Sequence, residues 1–267
     1  MPSTLQIQRR GAIAYVQLSR PDKRNAVTLT MMNELVQAGR TLSRDRTLRA
    51  VILHGEGPSF CAGLDFPSVT SKPAGIVGAF RRRCGLPTNL FQEACMVWRR
   101  VPVPVIAVLH GHCLGAGLQL ALGADFRIAT PDCDMAILEA RWGLIPDMSG
   151  SVTLRELLPM DQAKLLTMTG RIFKATEALQ LNLVTQLDPD PLRAAEALAD
   201  ELAARSPDAI AATKRLFHST WTAGGCKAFH HERVLQLGVL AGSNQRAAMK
   251  AAMKKVQARF GERSWWW

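Results

Sequence analysis

Apolar and polar residues alternate over 5–9 and again over 13–18, on either side of Gly11, which predicts a β-hairpin. The polar run Pro21-Asp22-Lys23-Arg24-Asn25 then predicts a turn. Thr28 or Thr30 is placed to cap a helix running to about residue 42, because Met31, Leu35 and Val36 fall on one helical face. Short apolar runs at 50–54 and 105–110 predict buried strands, separated by a helix over 89–100 that must end before Pro102 and Pro104. Between residues 66 and 90 neither period is sustained, and Pro67, Pro73, Gly75 and Gly78 predict a loose, partly mobile loop near the site. A helix to about residue 122 and a strand over 126–129 come next. Helices are predicted over 151–158, 160–169 and 175–181, with a strand over 184–187.

From about residue 190 the pattern turns almost wholly helical, with segments at 191–204, 207–221, 226–240 and 243–259 broken by Pro207, Gly224-Gly225 and Gly242. The fold class is therefore α/β, with a core over 1–200 and a helical region over 201–267. A length of 267 residues and a hydrophobic content of 48% suffice for a full core.

Composition narrows the setting. Six cysteines occur with no Cys-x-x-Cys pair and no apolar leader, which argues against a disulfide scaffold or a zinc knuckle and for a reducing, cytoplasmic location. No apolar run approaches the roughly 20 residues of a membrane span, so stable membrane insertion is not expected. The net charge of +11 favours anionic partners. It is concentrated in Arg81, Arg82 and Arg83 and in Arg246, Lys250, Lys254, Lys255, Arg259 and Arg263 of the expected last helix. Without interleaved aromatics or a binding module, this favours a phosphorylated small molecule over nucleic acid. Solvated basic surface is the plainer reading of any one of these side chains. Trp265, Trp266 and Trp267 fit no pattern; packing at a subunit boundary, touching a membrane and fraying all remain open.

The chemistry concentrates at two glycine-marked turns, Ser59 to Asp65 and His112 to Gly117, each following a strand and leading towards a helix. Backbone N–H groups at such turns, those of Leu64 and Ala116, can stabilise a developing oxyanion with no special side chain. Ordinary tight turns are the alternative. Glu139 and Asp147 are the only acids between Asp134 and Glu156, and they bracket the run from Trp142 to Pro146. Two carboxylates can pass a proton between carbons of an enolate. Each also has a plainer use, Glu139 as a surface or capping acid and Asp147 as the N-cap of the helix at 151–158. Asp65 can likewise cap a local turn. His110 and His112 lack a triad arrangement, and Cys61 and Cys113 lack neighbours that would lower a thiol pKa.

Four segments in order, Pro21 to Ala26, Phe60 to Asp65, His110 to Gly117 and Glu139 to Pro146, resemble the enoyl-CoA hydratase/isomerase family, the crotonases, over roughly residues 5–260. The resemblance implies a spiral of ββα units with a C-terminal helical region, assembled as a trimer or dimer of trimers, acting on a coenzyme A thioester through an enolate. It implies no tightly bound cofactor and no metal, with coenzyme A entering as part of the substrate. It makes Leu64 and Ala116 the oxyanion donors and places Ala62 beside the adenine or pantetheine. It puts Arg24 along the coenzyme A groove, brings Lys254 and Lys255 to the phosphates, and assigns Ala26, Gly63, Asp65, Gly115 and Trp142 to substrate contact. The acyl pocket is expected from residues 66–95 and Trp142.

Two departures steer the reaction. Gln119 stands where a typical family hydratase has the first of its two glutamates, and an amide orients water or substrate without serving as a general base. Asp147 falls where the family's dienoyl-CoA isomerases, which carry an acid at the position of Gln119, place a catalytic aspartate. Double-bond isomerisation by proton shuttling is therefore placed ahead of hydration. Another enolate reaction of the family, such as decarboxylation or thioester hydrolysis, stays open, and a non-catalytic acyl-CoA-binding protein is the alternative of a different class.

Overall fold

The computed structural model describes residues 3–71 and 73–264. Its first half is β1 (Leu5–Arg10), β2 (Ile13–Leu18), α1 (Leu29–Arg44), β3 (Ala50–Gly55), α2 (Phe66–Thr70), α3 (Pro73–Phe80), α4 (Leu90–Arg100), β4 (Val105–Leu109), β5 (His112–Leu114) and α5 (Ala116–Leu122). There follow β6 (Phe126–Ala129), β7 (Asp134–Ala136), α6 (Gly150–Thr153), α7 (Met160–Thr169), β8 (Phe173–Lys174), α8 (Ala175–Gln180) and β9 (Gln186–Leu187). Four helices close the chain: α9 (Pro191–Ala203), α10 (Pro207–Thr220), α11 (Gly225–Ala241) and α12 (Ser243–Lys254).

Six strands form one sheet in the order β1-β2-β3-β4-β6-β9, antiparallel only at the β1–β2 hairpin. A smaller sheet, β5-β7-β8, carries the second glycine turn. The central strands read as unbroken apolar runs because both faces are covered. Val51 and Leu53 of β3 join the core beneath α1 and α4, while Ala50 and Ile52 face Ala195 and Ala199 of α9. The helix on which the expected boundary at residue 200 falls thus packs directly on the sheet.

Local sequence accounts for the starts of several helices. Thr28 caps α1 by accepting from Met31 N–H, and Asn89 with Gln92 forms a complete capping box on α4.

Two expectations need correction, and three strands went unpredicted. The segment after Phe66 is largely helical: Asp65 accepts from Ser68 N–H to start α2, and α3 lacks the polar face that would have revealed a helical period. Strands β5, β7 and β8 span three, three and two residues, too few for alternation to show. The last helix stops at Lys254, where Lys255 takes a left-handed conformation (φ 51°), so Arg259 and Arg263 lie beyond it. Arg263 is no surface charge; it is buried and donates to the carbonyls of Ser43 and Asp45 at 3.1 and 3.2 Å. Trp265, Trp266 and Trp267 lie outside the described residues. Among those described, no helix is long and apolar enough to cross a membrane.

Candidate active site

β3 delivers the first glycine turn and β4 the second, and hydrogen bonds stitch the two together. Phe60 N–H donates to His110 O at 2.9 Å, Cys61 N–H to His112 O at 2.9 Å, and Leu114 N–H to Cys61 O at 3.0 Å. The approach is close enough that a Cβ on Gly117 would stand 2.6 Å from Cys61 O, and Gly115 holds φ at +50°. Both positions require glycine.

This stitching aims two amides. Val27 N–H donates to Gly63 O at 2.7 Å and Val27 O accepts from Asp65 N–H at 2.9 Å. Val27 therefore pairs with both neighbours of Leu64, and in an extended ladder the amide of Leu64 must point to the opposite side. Ala116 is the first residue of α5, where an N–H has no partner within the helix. Among the described residues neither amide donates to a protein acceptor. Both line one cavity of about 320 Å³, together with Glu139 and Asp147.

Glu139 follows β7 at the start of a short 3-10 turn, Glu139–Trp142, and is buried. Its Oε1 accepts from Gln119 Nε2 at 2.6 Å, whereas its Oε2 is buried without a hydrogen-bond partner. Burial pushes its carboxyl above the usual range, with a further push from Asp147, against its own N–H and Gln119. Asp147 is half-buried in the same cavity, and burial raises its carboxyl too, against its own backbone N–H. It does not cap the following helix, because Ser149 is the residue preceding α6.

Gln119 is fully engaged at its oxygen. Oε1 accepts from Met148 N–H at 3.0 Å and from Gly150 N–H at 3.2 Å, which uses both lone pairs. Of the side chain expected to orient water or substrate, only the second Nε2–H is left to do so. The side chain instead anchors Glu139 and the loop that carries Asp147.

The remaining expected residues divide. Ala62, Gly63, Gly115 and Trp142 line the cavity. Asp65 does not: one oxygen caps α2 and the other accepts from Arg20 Nη2 at 2.8 Å, which holds its carboxyl below the usual range against the effect of burial. Arg24 is exposed beside the first turn and its carbonyl accepts from Ala62 N–H at 2.9 Å, while the carbonyl of Ala26 accepts from Arg20. Lys254 and Lys255 are exposed at the end of α12, which packs on α10 and α11, and neither lines the cavity. His110 and His112 bond to Gly57 O and Ser59 Oγ. Burial pushes the Cys61 thiol up to about 12. Among the described residues no cluster of three His, Cys, Asp or Glu is suited to a metal ion.

Sequence reasoning missed the supports of the first turn. Asn25 is fully buried, with Nδ2 donating to Glu56 O at 2.9 Å and Ser59 O at 2.8 Å and Oδ1 accepting from Arg20 N–H at 2.8 Å. Its signal was an Asn at the end of a polar turn, a residue that tolerates the left-handed conformation found here (φ 56°).

Comparison with known proteins agrees with this geometry. The family model described as enoyl-CoA hydratase/isomerase matches residues 8–263. An enoyl-CoA hydratase of Mycobacterium tuberculosis is 31% identical over 259 residues, covering 96% of each chain. The human mitochondrial Δ(3,5)-Δ(2,4)-dienoyl-CoA isomerase is 35% identical over 210 residues, covering 76% of this chain and 64% of its own. The crystal structure of an enoyl-CoA hydratase from Polaromonas sp. JS666 superposes with a TM-score of 0.87 at 27% identity, covering 96% of this chain and 99% of that one. With two glycine turns facing paired carboxylates across one cavity, and a family match that spans nearly its whole length, this chain belongs to the enoyl-CoA hydratase/isomerase family.

Proposed function

We propose that this enzyme moves a carbon–carbon double bond in an acyl-CoA thioester through an enolate. The thioester oxygen takes the hydrogen bonds of Leu64 N–H and Ala116 N–H, which are already oriented when negative charge develops on it. One carboxylate removes a proton from carbon, and the other, carrying a proton, delivers it to a carbon further along the conjugated system. Glu139 is suited to the first role, since it lines the cavity, its buried Oε2 has no partner and Gln119 fixes its other oxygen. Asp147, raised by burial, is suited to hold the proton that is returned. Solvent exchange resets the pair. The observation that carries this reading is the pairing of an unsatisfied Glu139 with Asp147 in one cavity, while the Gln119 carbonyl is closed to water.

Hydration is the second reading, favoured by the Mycobacterium tuberculosis relative, which bears the name hydratase over nearly the full chain. It leaves the Glu139 carboxylate as the group that holds the water.

Coenzyme A enters as part of the substrate, its nucleotide side passing Ala62 and Arg24. Lys254 and Lys255 would reach its phosphates from a second copy in a trimer or dimer of trimers. The exposed Phe217, Trp221, Phe229 and Leu237 of the α10–α11 region are the apolar surface such an assembly would cover. The cytoplasm is the compartment that fits this chemistry.

NMR in deuterated water tests the reaction, with a 3-enoyl-CoA, a 3,5-dienoyl-CoA and a 2-enoyl-CoA as substrates. Migration of the double bond with deuterium at the protonated carbon is expected. Asp147→Asn should slow it about a hundredfold with saturated acyl-CoA affinity unchanged. Formation of a 3-hydroxyacyl-CoA as the main product, or full activity in the Asn variant, refutes the shuttle.

A further inference from the structure

Beyond the two carboxylates, the cavity continues between α2, α3 and α4, and its far wall is made of rings. Phe66 lies against Trp142 with centroids 4.5 Å apart, and Phe80 against Phe91 at 4.9 Å. Ile76 and Leu144 line the same cavity. The one hydroxyl among the described lining residues, that of Thr70, donates to Phe66 O at 2.8 Å and so is already committed. Among the described lining residues there is no Lys, Arg or His. Arg81 and Arg82 follow Phe80 in sequence but are exposed outside the cavity.

This environment discriminates by chemistry. An apolar tail gains about 0.8 kcal/mol for each methylene taken out of water, a factor of nearly four in affinity. Among the described lining residues beyond the two carboxyl groups, a charged or hydroxylated tail would find no free partner, and an anionic one would also enter a space that already holds those two carboxyl groups. Phe80 is 52% exposed and Trp142 61%, so apolar surface at the rim is left for a ligand to cover.

We infer that the acyl group handled here is an uncharged, apolar chain of medium length, clearly longer than crotonyl, whose tail lies between the Phe66–Trp142 and Phe80–Phe91 pairs. The inference rests on the acyl-CoA reading of the site and adds the class of acyl group.

Binding tests it without turnover. Calorimetry of the full chain with butyryl-CoA, octanoyl-CoA and glutaryl-CoA should rank octanoyl at least tenfold tighter than butyryl, with glutaryl weakest. Phe80→Ala should cut the octanoyl preference at least threefold. The corresponding enoyl-CoA series should follow the same order in kcat/KM. Equal affinity for the two saturated chains, or glutaryl-CoA binding as tightly as octanoyl-CoA, overturns the inference even if the Phe80 variant fails to fold. Chain-length selectivity in binding with no double-bond migration would sustain it and refute the proposed isomerisation alone.

Discussion

Glu139 and the mostly buried Asp125 each line a cavity in this protein, and the two differ in how fully they are paired. Asp125 lines a cavity of about 410 Å³ away from the glycine turns, and every part of it is used. Oδ2 accepts from Val105 N–H at 2.8 Å and from Lys214 Nζ at 2.6 Å, and Oδ1 pairs with His218 Nε2 at 3.2 Å. Lys214 spends its other two protons on Trp98 O and Val103 O at 2.9 and 3.0 Å. Burial alone would raise the Asp125 carboxyl, but Lys214, His218 and Val105 outweigh it and hold the group below the usual range. Glu139 is buried as well, yet one of its oxygens has nothing to accept from, and its carboxyl is raised. Burial therefore does not mark a working group. What sets Glu139 apart is incomplete pairing beside a cavity, whereas the cavity at Asp125 holds an ion pair that ties α10 to the connection between α5 and β6.

The comparison is broken most severely at Glu139. Glu139→Gln should lower kcat by about a thousandfold while folding is preserved, because the amide keeps the shape and removes a buried charge. The sign follows from linkage: a carboxyl raised in the fold favours the folded state while protonated, and that advantage fades as pH rises from about 4.3 through the raised value. Melting curves from pH 4 to pH 8 should show the wild type losing ground to the variant over that window. A variant that melts earlier at pH 8, or turns over normally, contradicts the assignment.

Lys214→Met gives the opposite phenotype. It removes the lysine from the pair and leaves Asp125 with Val105 N–H and His218 Nε2, which should cost about 3 kcal/mol in denaturant unfolding, because a mostly buried carboxylate loses its principal cation. Activity of the fraction still folded should stay near wild type. A loss of kcat without a loss of stability would move this pair into the chemistry.

The smallest change sharpens the comparison at Gln119. In Gln119→Glu, Met148 and Gly150 still find an acceptor, but Glu139 loses its donor and must share a proton with the new acid. The acidic limb of kcat/KM, already above the ordinary carboxylate range, should move to higher pH, with less than about a tenfold loss at the optimum. An unmoved limb would mean that Gln119 has no hold on the ionisation of Glu139.

Much of this arrangement was legible along the chain because it is local. Thr28 and Asn89 stand at helix starts, the apolar runs of β3 and β4 are unmistakable, and the two glycine turns and two carboxylates can be located by position alone. Short strands and α3 escaped because a period needs more residues, or a polar face, to be seen. The basic stretch at the chain end looked uniform in sequence, yet Lys254 is exposed on a helix and Arg263 is buried against the end of α1.

The sequence by itself determined the longer strands and helices, the family and the residues from which a site can be built, since propensity, capping and patterning act over a few neighbours. The tertiary structure alone decided what each polar group has left to offer. Gln119 meets Glu139, Met148 and Gly150 across separations of 20, 29 and 31 residues. Whether an oxygen is filled or free depends on such distant donors, and no local pattern encodes them.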